Sequence, residues 1–305
     1  MITTKTRISE IRALPQFANC PDYVIGMPPG ADMALEDFQK YAPDWLIGGI
    51  ADGLNFMLEN KFGFEELDAP GTCLFDFSID DKAPFVLLCA GGAYMGVASF
   101  VEAFPTAAAL REHGVSCYVM QYRTGPAGGR EKPLEDVACA LKRIFARGGE
   151  RPYVICGYSA GGHLAAAFGT ETLGWKQYDL PRPQAVWLSY PVITMGADAH
   201  PESRDSFLQE LRDDPEARAR WSIEKQVTAN YPPTYIWHCE ADAAVDPQYN
   251  AIPMEEALQS CGVPVKRHGF PGAAHGWGRA AGTPAEVWVQ EALDFWRNNR
   301  SAVER

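Results

Sequence analysis

Short apolar runs recur along the chain at 72–79, 84–90, 115–122, 153–156, 185–189, 234–239 and 263–269. Most are continuously apolar rather than alternating, the pattern of parallel strands covered on both faces. Longer stretches between them have helical character, at 134–147, 161–170 and 247–261. Ser99-Phe-Val-Glu102 and Thr283-Pro-Ala-Glu286 both read as capping boxes that open helices, the second with proline in its first turn. Strand and helix alternation predicts an α/β fold, a doubly wound and mostly parallel sheet with helices on both faces. In such a sheet, ligands collect at the carboxyl ends of the strands.

Two stretches break the rhythm. Residues 1–70 precede the first strand and hold a helix expected over 44–59, with Trp45, Leu46, Ile50, Leu54, Met57 and Leu58 as its apolar positions. Packing on the core is the default for such a face; a lid or a contact with a second copy in a homodimer are the alternatives. The remainder, 71–305, reads as one catalytic domain. Within it, 191–232 carries charged text such as Glu202-Ser-Arg204-Asp205 and reads as a helical excursion, a small cap over the active face.

The 305 residues suffice for one large α/β domain, and the 47% hydrophobic share for a sizeable core. A formal net charge of -12 argues against nucleic acid and anionic membrane surfaces as partners. The opening residues, Met1 to Glu10, lack the charged-then-apolar form of a secretory leader, and no apolar run is long enough to span a bilayer. None of the eight cysteines forms a CxxC pair, and several lie within strand-like runs. Buried, reduced thiols in a cytoplasmic protein are expected.

The strongest chemical signal is Gly157-Tyr158-Ser159-Ala160-Gly161, which follows a strand and opens a small-residue helix. That context makes Ser159 a nucleophile on a sharp strand-to-helix turn, with the helix N-terminus aimed at the site. A serine hydroxyl needs a base to take its proton. Of six histidines, His275 lies in the Gly-rich loop between the last strand and the last helix, where the chain order Ser, Asp, His puts the base. The acid should follow the strand at 234–239. Asp246, before Pro247, reads as an N-cap, which leaves Asp242 as the acid. The oxyanion site is expected to use the amide of Ala160 with those of Gly92 and Ala93, on the small-residue loop after an early strand. That loop is not a dinucleotide site, because Ala93 stands where the middle glycine would be and no ribose-binding acid ends the next strand.

By these motifs the chain resembles the α/β-hydrolase superfamily, and most of all its acetyl-esterase, xylan-esterase and hormone-sensitive-lipase-like branch. The carrying segments are AGGAY at 90–94, Val119-Met-Gln-Tyr122-Arg123, GYSAGGH at 157–163, HCEADAAVDP at 238–247 and FPGAAHGWG at 270–278. The resemblance covers roughly residues 70–300. It implies hydrolysis of short acyl esters, often acetyl groups on sugars, with no cofactor and no metal. The chain departs from the lipase-like His-Gly-Gly-Gly loop, with Ala90 for the histidine and Ala93 for the last glycine. Tyr122-Arg123 is read as structural. Tyr94, Tyr158 and Trp277 flank the catalytic residues and are candidates for walls of a small substrate pocket. An amidase or peptidase with the same three residues, or a non-catalytic binding module on this fold, are the rival functions.

Overall fold

All seven apolar runs become strands in the computed structural model, which describes residues 1–27 and 30–303. An eighth strand precedes them. The sheet comprises β1 (Gly63–Glu66), β2 (Cys73–Asp76), β3 (Phe85–Cys89), β4 (Ser116–Gln121), β5 (Tyr153–Tyr158), β6 (Ala185–Ser189), β7 (Thr234–Cys239) and β8 (Val265–Phe270). Its spatial order is β1-β2-β4-β3-β5-β6-β7-β8. β2 runs antiparallel to β1 and β4, and β4 through β8 are parallel. Every residue of β3, β4, β5, β6 and β7 is buried, which is why their sequences carry no alternation. Burying each such aliphatic or aromatic side chain is worth about 1.5–3 kcal/mol.

Ten α-helices lie among the described residues: α1 (Ile8–Arg12), α2 (Pro21–Val24), α3 (Ile47–Glu59), α4 (Ala103–Glu112), α5 (Glu131–Gly148), α6 (Ser159–Gly169), α7 (Pro201–Leu208), α8 (Pro215–Trp221), α9 (Ala251–Ser260) and α10 (Trp288–Val303). α5 buries Leu134, Val137, Ala138, Leu141 and Ile144, one stripe at helical spacing, and of its charged residues buries only Asp136. α6 is buried all round and is built from alanine, glycine and a few larger residues, so it can lie close against β5 and β6. α4 packs with α3 and α10. The segment 191–232 carries α7 and α8.

Three expectations are corrected. The boundary at residue 70 runs through a hairpin, since β1 pairs with β2 in the register Gly63↔Asp76. β1 (Gly-Phe-Glu-Glu) is an exposed edge strand with too little apolar content to be read from sequence. Much of the segment before it packs into the core. Ile8, Ile11, Phe17, Leu35, Phe38, Ile50, Leu54 and Met57 are all buried there. At the burial energies above, a segment anchored by eight such side chains does not swing clear as a lid. Second, α9 begins at Ala251 rather than 247. Asp246 caps a turn instead, accepting the Gln248 amide at 2.8 Å. Third, Ser99 and Glu102 do not form a capping box. α4 starts at Ala103, and the Glu102 side chain turns away from the helix into the protein interior.

The strand register aligns the carboxyl ends of the strands that carry the site. Cys89 pairs with Gly157, Tyr158 with Ser189, Ser189 with Trp237, and Cys239 with Phe270. The loops leaving β3, β5, β6, β7 and β8 therefore emerge side by side.

Candidate active site

β5 ends at Tyr158 and α6 begins at the next residue, Ser159. The turn is this sharp because Ser159 adopts φ 49°, in the left-handed region. For a non-glycine residue that conformation costs of order 1–3 kcal/mol and is maintained by its surroundings. Small neighbours make it feasible. A Cβ on Gly157 would lie 2.0 Å from the Gly161 carbonyl oxygen. The Ser159 carbonyl accepts the Val192 amide at 3.0 Å, which ties the elbow to the loop after β6.

His275 stands on the loop between β8 and α10. Its Nε2 lies 2.9 Å from Ser159 Oγ, and its Nδ1 lies 2.7 Å from Asp242 Oδ2. Asp242 follows β7. Its other oxygen, Oδ1, accepts the amides of Ala244 and Val245 at 3.0 Å each. The carboxylate is fully buried, with three donors directed at its two oxygens. An ionised carboxylate is acceptor-only, so Nδ1 carries the proton and Nε2 is left to accept from the serine. Asp44, ahead of α3, accepts the His275 amide at 3.3 Å, and the Tyr190 ring meets the imidazole edge-on at 4.9 Å.

The loop after β3 holds Gly92 and Ala93. Three successive residues take positive φ: Gly92 at 130°, Ala93 at 53° and Tyr94 at 56°. The loop is held from behind. Tyr122 donates its hydroxyl to the Ala90 carbonyl at 2.6 Å, and the Gly91 amide donates to Glu102 Oε2 at 2.5 Å. Gly91 lies hard against the elbow. A Cβ there would sit 2.8 Å from Ser159 Cβ and 2.8 Å from the Tyr158 carbonyl oxygen. Gly92 and Ala93 follow directly, and Ala160 is the second residue of α6.

The aromatic candidates divide. Tyr94 is fully buried, with its hydroxyl 2.8 Å from His163 Nδ1. Tyr158 is fully buried too, packed against Tyr190 and Trp288. Neither walls a pocket; each props the site from inside, since a tyrosine at the end of a buried strand or loop points into the core. Trp277 is half-buried and reaches a surface cleft of about 620 Å³ with Asp44, Trp45, Gln39 and Ala274. The cleft lies beside the histidine loop.

The other histidines are structural. His163 bonds Tyr94 and the Trp221 carbonyl, His238 contacts Arg267, His268 pairs with Glu291, and His113 ends α4. His200 caps α7 and lies near enough for the Asp242 and His275 charges to act on it; burial lowers its pKa. Arg123 bonds Asp136, Glu135 and the Lys132 carbonyl, fastening the end of β4 to α5.

Sequence reasoning missed Glu102, Tyr190 and Asp44. Tyr190 had a signal, because it follows the last residue of a parallel strand, where sites form. Glu102 was legible only as a helix cap. Asp44 lies 231 residues from its partner, with no local mark. Among the described residues no group of three His, Cys, Asp or Glu side chains is placed to hold a metal ion, and no helix is long and apolar enough to cross a membrane. All eight cysteines are free thiols, six of them buried.

The chain is similar to known proteins. An endo-1,4-beta-xylanase B from Butyrivibrio fibrisolvens is 31% identical over 238 residues, 73% of this chain and 37% of that protein. An acetylxylan esterase from Xylanibacter ruminicola is 28% identical over 196 residues, 62% of this chain and 40% of its own length. The chain thus spans about two fifths of the curated relatives it matches. Among solved structures, an acetyl ester-xyloside bifunctional hydrolase from Caldicellulosiruptor lactoaceticus is similar with TM-score 0.66 and 28% identity, over 74% of this chain and 88% of that one. A sugar hydrolase from Lactococcus lactis is similar with TM-score 0.66 and 25% identity, over 79% and 99%. A family model described as alpha/beta hydrolase fold matches residues 85–279. With its parallel sheet, its elbow after β5 and its histidine loop after β8, the chain belongs to the α/β-hydrolase fold family.

Proposed function

We propose that this protein is a serine esterase that removes short acyl groups, of the acetyl type, from carbohydrate esters. The observation that carries the reading is the unbroken line Ser159–His275–Asp242, at 2.9 and 2.7 Å, beside a loop of small residues. Ser159 Oγ attacks the ester carbonyl while its proton passes to His275 Nε2. The amides of Ala160, Gly92 and Ala93 receive the developing oxyanion, and each such donor is worth about 10²–10³ in rate. The imidazolium formed is stabilised by Asp242 and returns its proton to the leaving alcohol. Water then gives a proton to His275 and attacks the acyl-enzyme, and the proton goes back to Ser159 as the acid leaves.

The carbohydrate part of the proposal leans on relatives and neighbours named as xylanase, acetylxylan esterase and sugar hydrolase. The half-buried Trp45 and Trp277 at the adjoining cleft supply the flat apolar surface a sugar ring stacks on. Eight free thiols suit a reducing, cytoplasmic compartment.

Hydrolysis of p-nitrophenyl acetate tests the core of the reading. Ser159→Ala should lose activity by at least about 10³-fold, and a fluorophosphonate probe should label Ser159 in the unaltered protein. Full activity of the variant would refute it. Side-by-side assays on acetylated xylo-oligosaccharides and acyl-amides decide between esterase and amidase.

A further inference from the structure

Glu102 takes no part in the steps above, yet it is only 4% exposed and lies directly behind the oxyanion loop. Its Oε2 accepts the Gly91 amide at 2.5 Å, and its Oε1 accepts the Tyr190 hydroxyl at 2.9 Å. The Tyr190 oxygen in turn accepts the Gly278 amide at 2.9 Å. One carboxyl group therefore reaches both loops that must stay in register: the one that begins at Ala90, and the one that carries His275. Both loops are conformationally strained and need such fastening. Ala93 and Tyr94 have positive φ on the first and Ala280 on the second, and Tyr190, on the loop after β6 that joins them, sits at φ 38°.

We propose that Glu102 is a positioning residue, and that its ionised carboxylate holds the oxyanion loop and the histidine loop in their working register. The inference rests on the esterase reading. The ionised form matters because of donor arithmetic. A carboxylate has acceptors only, and both partners here are donors. Adding a proton turns one of the two oxygens into a donor and a much weaker acceptor, so either the Gly91 or the Tyr190 hydrogen bond is weakened in a buried site.

The titratable groups facing Glu102 are few. Tyr122 comes from the end of β4, Cys156 and Tyr158 from β5, Tyr190 from the loop after β6, and His275 from the histidine loop. Burial pushes the thiol and the phenols far upward, so they stay neutral. Positive charge on His275, which the proposed steps place there, favours the carboxylate. Burial raises the Glu102 pKa to about 7, and the Gly91 and Tyr190 hydrogen bonds oppose the rise. Protonation thus falls near neutral pH and should add an ionisation to the acid side of the rate profile, beyond that of the base.

The test is the pH profile of kcat and kcat/KM on p-nitrophenyl acetate for the unaltered protein, Glu102→Gln and Tyr190→Phe. The unaltered enzyme should show an acid limb whose logarithmic slope exceeds one and approaches about two. In Glu102→Gln the slope should fall to about one, and kcat should drop about 10–100-fold with KM nearly unchanged. In Tyr190→Phe, where the carboxylate loses a donor, the acid limb should move to higher pH. Tyr190→Phe also serves as the readout should Glu102→Gln not fold. Fluorophosphonate labelling of Ser159 must persist in each folded variant. Failure of the unaltered protein to label would overturn the esterase reading and this proposal with it. Labelling with an unchanged limb and unchanged kcat in the variants, even with lower melting temperatures, would leave Glu102 merely structural and overturn this proposal alone.

Discussion

Asp242 divides its two carboxylate oxygens between two tasks. Oδ1 is committed to the amides of Ala244 and Val245, so only Oδ2 faces the imidazole. Asn at this position has no good orientation. With its NH₂ toward His275, the imidazole must switch tautomer and then donates to Ser159 instead of accepting. With its oxygen toward His275, the NH₂ is driven against two backbone donors. Asp242→Asn should therefore lower kcat on p-nitrophenyl acetate by about 10³–10⁴-fold with little loss of fold. A loss under about tenfold would remove Asp242 from the mechanism. Sequence brought this residue forward by setting Asp246 aside as a helix cap. Asp246 does cap, but it caps a turn, and the helix starts four residues after Pro247. Ser159 and His275 were legible because each lies in a motif with local rules. Glu102 was not, because a side chain that bonds residues 11 and 88 positions away leaves no periodic trace.

Among the elements, the parallel strands were the most legible part of the fold. Continuous burial writes itself as continuous apolar text, and β6 and β7 were read to the residue. β1 was lost for the converse reason, an edge strand that is half polar. The helix starts depended on side-chain destinations, which sequence alone does not supply at Ser99–Glu102. The link between the elements of the site is also tertiary. Tyr94 on the loop after β3 donates to His163 in α6, and His163 Nε2–H donates to the Trp221 carbonyl at the end of α8, each at 2.8 Å. One buried imidazole thus joins loop, elbow helix and excursion. Tyr94→Phe leaves its Nδ1 acceptor empty in a site with no water access, at a cost of about 1–3 kcal/mol. The expected result is a melting temperature lower by about 3–8 °C. A several-fold fall in kcat should accompany it, because the loop loses an anchor. An unchanged melting temperature would show that the bond contributes nothing.

Across the whole molecule, His163 and Glu102 carry opposite burdens. Both are fully buried, and burial disfavours the charged form of each. It pulls His163 down to about 4 and raises Glu102 to about 7. Unfolded, His163 takes its proton near 6.5, before the folded chain can. Its contribution to stability is full above that pH and is lost as pH falls toward 4. Glu102 works the other way. The folded chain binds the proton at about 7 and the unfolded chain only near 4.5, so its contribution is full at low pH and is lost as pH rises through 7. Between these limits each changes stability by about 1.4 kcal/mol per pH unit, in opposite directions, and the two offset each other. Glu102→Gln removes one side of that balance. Going from pH 6.5 to about 5, the variant should lose about 2 kcal/mol relative to the unaltered protein, or roughly 3–6 °C. Near pH 8 the variant should instead gain, because it no longer buries a charge. Calorimetric melting of both proteins across this range decides the matter. Parallel curves would mean that Glu102 titrates alike folded and unfolded. Divergent curves would mean that the fold keeps, at a cost in stability above neutrality, an ionised carboxylate bonded to the loop after β3 and, through Tyr190, to the histidine loop.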